Sequence, residues 1–267
     1  MNLVFSGGGV NGAYFIGVIQ FLRLSGIKLD GFAGTSIGAL VALMCALNMS
    51  VPDMRGVFRR LLDSDVSRQL LGIVLDLLGG DLTFAQLFKI TCRELIVCAM
   101  SVNTTKITLF SCESTPDLSV ARSVVAAMSF PFMFPPVQIN DELFIDAGFA
   151  MNLPMCAFKN KPALGAWLCT DSKVVSTQEL LESNATYGFQ VLRTVWYASD
   201  HLTTYTIDPS SVIKIAPRYP IFERSVNIDH MVFCGGFACF RHFEKKATHS
   251  NTLQAFILFF LCQKKKF

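Results

Sequence analysis

Charge is scarce in this chain. Charged residues make up 16% of its 267 positions and hydrophobic residues 52%. The formal net charge of +3 is too small for the basic surface that nucleic acid demands, which excludes a nucleic-acid partner. Histidine is scarcer still: His201, His230, His242 and His249 all fall in the last quarter of the sequence. No group of His, Cys, Asp or Glu has the spacing of a metal site, so no metal and no other cofactor is expected. The nine cysteines are an odd number and include no C-x-x-C pair. They read as buried, reduced thiols of a cytoplasmic protein. The opening Met1-Asn2-Leu3-Val4-Phe5 runs straight into glycines, which leaves no room for a secretory leader. Near the other end, the apolar stretch 253–262 is far shorter than the roughly 20 residues of a membrane span. It ends in Gln263-Lys264-Lys265-Lys266-Phe267. Such a tail is either a last core-packed helix or a peripheral membrane contact whose lysines meet anionic headgroups.

What the chain does have is glycine in particular places. Residues 3–6 read as a short buried strand, followed by Gly7-Gly8-Gly9-Val10-Asn11-Gly12 and a helix over 13–24. A second strand, 29–33, enters Gly34-Thr35-Ser36-Ile37-Gly38, and the apolar residues 37–48 continue as a helix. Strand, turn and helix are the context that G-x-S-x-G needs to act as a nucleophile elbow. Alone, the pattern is equally that of a small-residue turn with a capping serine. Strand, helix, strand over this span is a βαβ unit, so the two strands are predicted parallel. Ligands then sit beyond the carboxyl ends of the strands, where both the glycine loop and Ser36 fall.

Helices are predicted over 54–62, 66–78, from Thr83 to about 95, and over 118–128. Residues 96–102 and 106–111 form a strand pair. Ser129-Phe130-Pro131-Phe132-Met133-Phe134-Pro135-Pro136 is irregular, because its prolines break any regular element. A strand within 137–145 delivers Asp146; further strands cover 163–169 and 212–216, and further helices 178–198 and 229–243. This alternation predicts one α/β layer fold over 1–245, with 246–267 as an apolar and basic tail.

The glycine loop has two readings. Gly7-x-Gly9-x-x-Gly12 matches a dinucleotide fingerprint, with Asp30 at about the distance of a ribose-binding carboxylate. It equally suits an oxyanion loop, whose glycines hold successive backbone amides outward at a helix N-terminus. The second reading needs a nucleophile opposite, which Ser36 supplies, and a base. Asp146, in Asp146-Ala147-Gly148, is the candidate.

Together, the loop 7–12, the elbow 34–38, the stretch 127–136, and Asp146-Ala147-Gly148 with Asn152 and Pro154 resemble the patatin-like phospholipase family. The motifs stand in that family's order, and the likeness runs from about residue 2 to 245, thinning after about 170. The resemblance implies a three-layer α/β/α fold with a mostly parallel central sheet. It implies a lipid acyl hydrolase of phospholipase A type, acting on phospholipid or another acyl lipid without calcium, so that activity survives chelation. It assigns Ser36 as nucleophile and Asp146 as base of a dyad, and Gly7, Gly8, Gly9 and Gly12 to the oxyanion loop. The chain departs from the family at two positions. Asn11 stands where Lys or Arg is usual, which removes a positive charge near the oxyanion. Ala147 replaces a glycine, a change that strains the backbone only if φ is positive there. The rival readings are a triad hydrolase using His201 or His230, and a catalytically inactive lipid- or nucleotide-binding domain.

Overall fold

The computed structural model describes residues 1–63, 65–169, 176–181, 183–219 and 223–244. The tail expected over 246–267 lies outside the described residues. Among the described residues, no helix is long and apolar enough to cross a membrane.

The first strands, β1 (Asn2–Phe5) and β2 (Gly31–Thr35), are buried along their whole length, as parallel strands covered on both faces must be. Helix α1 (Ala13–Leu24) joins them. After β2 come α2 (Ile37–Ala46), α3 (Val51–Asp63), α4 (Val66–Leu78) and α5 (Phe84–Thr91). The last starts where Thr83 predicts it. The Thr83 hydroxyl accepts from the Gln86 amide, and the Gln86 side chain accepts from the Thr83 amide. Strands β3 (Glu94–Ser101) and β4 (Ile107–Ser111) form the expected antiparallel pair. Helix α6 (Val120–Ala127) leads to a hairpin of β5 (Val137–Ile139) and β6 (Glu142–Asp146), where one strand was expected. Then follow β7 (Ala163–Leu168), α7 (Thr177–Leu181), α8 (Asn184–Thr206), β8 (Val212–Ile215) and α9 (Ile228–Glu244).

The result is a mixed α/β fold with a mostly parallel central sheet, as the sequence predicts. The parallel strands run in the order β8-β7-β1-β2-β3. Side chains alternate between two faces. Leu3, Phe5, Phe32, Leu95 and Val97 join the main core with α1, α2, α6 and α9. Val4, Ala33, Ile96 and Trp167 face the other way, against Leu153, Phe158 and Ile207.

One feature of the sheet positions the site. Strand β3 pairs with β4 along one side. Its other side is shared: β2 pairs as far as Thr35 opposite Cys98, and β6 takes over with Asp146 opposite Ala99. Since β2 is parallel and β6 antiparallel to β3, the two strands meet end to end on neighbouring β3 residues. Asp146 therefore reaches the carboxyl end of β2 from beyond the sheet edge, not by following a parallel strand up to it.

Candidate active site

Ser36 follows the last residue of β2 and starts α2. Its backbone is held at φ 55° and ψ −132°, a region that a side chain rarely occupies. The flanking glycines explain how. A Cβ on Gly34 would lie 2.2 Å from the carbonyl of Gly38, and one on Gly38 would lie 2.6 Å from the carbonyl oxygens of Phe5 and Ser6. The elbow is pressed between β1 and its own helix, and only glycine fits at both positions. The amino end of α2 then points its positive pole at the serine.

The loop after β1 bends through Gly8 at φ 156° and Gly9 at φ 57°, then forms a 3-10 turn over Gly9–Gly12. Its four glycines have different roles. The Gly7 amide is already used: it donates to the Asn152 side-chain oxygen at 2.9 Å and to the Asn152 carbonyl at 3.2 Å. Gly7 belongs to the loop, with its own amide committed to Asn152. Gly12 is a packing residue, since a Cβ there would lie 2.6 Å from Ile37 Cγ1. The amides of Gly8, Gly9 and Val10 meet no acceptor among the described residues. Gly9 and Val10 share a cavity with Ser36.

Asp146 is 1% exposed, and the Ser36 side chain lies close enough to its carboxylate to favour the ionised form. The Gly148 amide donates to Asp146 Oδ1 at 2.8 Å, and the Asp146 amide is tied to the Ser129 carbonyl at 3.0 Å. Burial pushes the carboxyl up to about 7, against the pull of the Ser36 and Gly148 hydrogen bonds. Ala147 does not have a positive φ, so replacing glycine there strains nothing. Asn11 is tied to the later part of the chain. Its side chain is buried, and Nδ2 donates to the Tyr219 carbonyl at 2.9 Å.

The cavity over Ser36 measures about 300 Å³ and is mostly apolar. Phe130, Met133 and Phe134 line it, so the proline-broken stretch does face the nucleophile; Phe132 is 79% exposed instead. Leu61 and Leu62 come from α3, and Trp196 from α8. The sequence reading gave no role to Trp196. Its sequence signal was no more than one aromatic in a helix.

Two rival readings lose their residues. Asp30 precedes β2 and pairs with the N-terminal amine of Met1 at 2.7 Å. It thus stands at the amino edge of the sheet, opposite the glycine loop, where no ribose held by that loop could meet it. His201 is exposed and stacks on Tyr197, and His230 lies against Cys234. Neither lines the cavity. Of the described cysteines, Cys45, Cys98 and Cys239 are buried thiols, but Cys92 and Cys156 are exposed.

Comparison with known proteins decides the family. The patatin-like phospholipase family matches residues 3–158, more than half of the chain and all of the motifs above. The chain belongs to the patatin-like phospholipase family. A probable lipid hydrolase of invertebrate iridescent virus 6 is 27% identical over 183 residues, covering 57% of this chain and 61% of the viral protein. A lysophospholipase of the yeast Scheffersomyces stipitis is 28% identical over 177 residues, covering 61% of this chain but only 11% of the yeast protein. The chain thus spans about three fifths of one relative and a small part of the other. The crystal structure of VipD from Legionella pneumophila aligns with a TM-score of 0.58 at 16% identity, over 91% of this chain and 66% of that one. This likeness extends the patatin fold past residue 158, where the family match ends.

Proposed function

We propose that this patatin-like protein is a lipid acyl hydrolase that cleaves fatty-acyl esters through Ser36 and Asp146. One observation carries the reading. Ser36 stands beside the buried Asp146 carboxylate where β2 and β6 meet, beneath an apolar cavity. Asp146 accepts the serine proton as Oγ attacks the ester carbonyl. A carboxylate with a pKa near 7 is a far better base than an ordinary aspartate, and at neutral pH much of it is still ionised. The carbonyl oxygen becomes an oxyanion, which the amides of Gly8, Gly9 and Val10 hold at the positive end of α2. Asp146 returns the proton to the departing alcohol, and the acyl group stays on Ser36. Water then gives a proton to Asp146 and attacks the acyl-enzyme; Asp146 passes that proton to Ser36 Oγ as the C–Oγ bond breaks and the fatty acid leaves. The apolar side chains over Ser36 receive the acyl chain. The name of the viral relative, a probable lipid hydrolase, and that of the yeast lysophospholipase support a lipid substrate.

A serine-directed fluorophosphonate tests this directly. Labelling of the wild-type chain, mapped to Ser36 and lost in Ser36→Ala, is the expected result. A folded wild-type protein that resists the reagent, or labels elsewhere, refutes it.

A further inference from the structure

We propose that Asp200 is a positioning residue for the oxyanion loop, acting through Asn152. The proposal rests on the hydrolase reading above for its catalytic consequence, but not for its geometry.

Asp200 sits on α8, a helix outside the span of the family match. Its neighbours Tyr197 and Leu202 are exposed, yet Asp200 is turned inward and is 4% exposed. Burying a carboxyl group is expensive unless hydrogen bonds compensate. Here Asn152 Nδ2 donates to Asp200 Oδ1 at 2.9 Å. Asn152 is itself fully buried, and its Oδ1 accepts from the Gly7 amide at 2.9 Å. Asp200, Asn152 and Gly7 thus form a relay in one direction.

The direction matters because a primary amide can turn over. An acceptor at Asp200 requires Nδ2 on that side, which leaves Oδ1 facing Gly7. Without that acceptor the amide can rotate and set Nδ2 against the Gly7 amide, donor against donor. Gly7 is the hinge into Gly8 and Gly9. It is also wedged in place: a Cβ on it would lie 2.7 Å from Asn152 Oδ1 and 3.0 Å from Ser36 Cβ. Oxyanion donors act over a window of about 2.7–3.1 Å. With the side-chain half of the Gly7 anchor lost, and only the longer bond to the Asn152 carbonyl at 3.2 Å left, the following amides move relative to Ser36, which weakens transition-state binding and leaves ground-state binding alone.

A swap tests the relay. Asp200→Leu removes the acceptor, which an Asn would keep as its amide oxygen, and is expected to lower kcat on a p-nitrophenyl ester about tenfold, a fraction of what loss of a whole oxyanion donor does, with KM unchanged. Asn152→Asp sets two carboxyl groups face to face and loses more. The double variant Asn152→Asp/Asp200→Asn restores a donor–acceptor chain. The new carboxylate at 152 accepts from both the Gly7 amide and the new amide at 200, so kcat returns to within about threefold of wild type. Amide hydrogen exchange of a peptide covering residues 6–12 is the readout independent of activity. It should accelerate in Asp200→Leu and in Asn152→Asp and recover in the double variant, while α1 is unchanged. If wild type neither turns over ester nor labels at Ser36, the hydrolase reading fails and exchange alone judges the relay. Wild-type exchange in a folded Asp200→Leu overturns the proposal, as does a folded double variant that recovers neither exchange nor kcat. Should Asp200→Leu fail to fold, Asn152→Asp and the double variant decide: recovery of folding or exchange in the double variant supports the relay, and its absence overturns it.

Discussion

The two walls of the cleft are built on different terms. One wall is backbone: the glycine loop, the elbow and the end of β6, where strands abut and neighbouring atoms lie 2.2 to 2.7 Å from where a Cβ on Gly7, Gly12, Gly34 or Gly38 would stand. The other wall is side chains: Phe130, Met133, Phe134 and Trp196 from an irregular stretch and a late helix. Chemistry fixes atoms to within tenths of an ångström, which the main chain can do. An acyl chain needs only apolar volume, which many side chains can supply. The first wall should therefore be intolerant of change, and the second forgiving. The predictions below test that difference.

The largest effects belong to the first wall. Ser36→Ala and Asp146→Asn should each reduce ester hydrolysis by about 10²–10⁴-fold or more, measured with a soluble ester. Wild-type kcat/KM should rise with pH and level off above about 7, as Asp146 ionises. Asp146→Asn should also make the protein more stable. The folded carboxyl is raised from 3.8 to about 7, so its favourable contribution is complete below about pH 4 and is lost as pH rises through about 7. At pH 8 the wild type bears the full penalty of a buried carboxylate, on the order of a few kcal/mol. Thermal melts should show Asp146→Asn well above wild type at pH 8 and level with it near pH 4. Equal melting at both values would mean that the carboxylate is solvated, and the wall less rigid than argued.

A smaller effect is expected at the elbow glycine. Gly38→Ala drives a methyl group into the carbonyls of Phe5 and Ser6. Destabilisation of about 1–3 kcal/mol is expected, with slower fluorophosphonate labelling of Ser36. An unchanged melt would break the claim that β1 and the elbow are in backbone contact.

The second wall should respond in selectivity. Trp196→Ala enlarges the apolar end of the cavity. Hydrolysis of a long-chain ester should fall about tenfold relative to a short-chain one, while the rate on the short ester holds. If both esters suffer alike, Trp196 supports the first wall as well, through its ring contacts with Phe130 and Phe149.

The same difference explains what could be read in the sequence. Backbone geometry leaves a local mark. Gly34 and Gly38 around Ser36, and the glycines after β1, stand at fixed spacing because only glycine fits, and so both βα junctions were legible. What long-range packing decides was not. That β6 would run antiparallel and meet β2 end to end depends on how β3 divides one side between two partners. That the Gly7 amide is consumed by Asn152 depends on a residue 145 positions away. Asn11 read as a lost charge near the oxyanion, but its amide serves a carbonyl at residue 219. Asp200 and Trp196 carried no signal, since one acid and one aromatic in a helix are ordinary.

The smallest effects should come from histidine, and their smallness is the point. A triad needs an imidazole between the serine and the carboxylate, taking the proton while the carboxylate orients it. Here the Ser36 side chain stands beside the Asp146 carboxylate, which accepts a hydrogen bond from the Gly148 amide. Among the described residues, no imidazole lines the cavity with Ser36. His201 lies on α8 against Tyr197, and His230 on α9 against Cys234. His201→Ala, at an exposed site, should change hydrolysis less than about twofold, because surface substitutions rarely shift stability by more than about 0.5 kcal/mol. His230→Ala is half-buried and should act only through the packing of α9, seen as a lower melting temperature with kcat retained. The pH profile distinguishes the two mechanisms even if rates drift. In the dyad the rise near pH 7 belongs to Asp146 and persists in both histidine variants. If one of them instead abolishes turnover like Ser36→Ala while still folded, or removes the rise, the base is an imidazole and Asp146 only orients it.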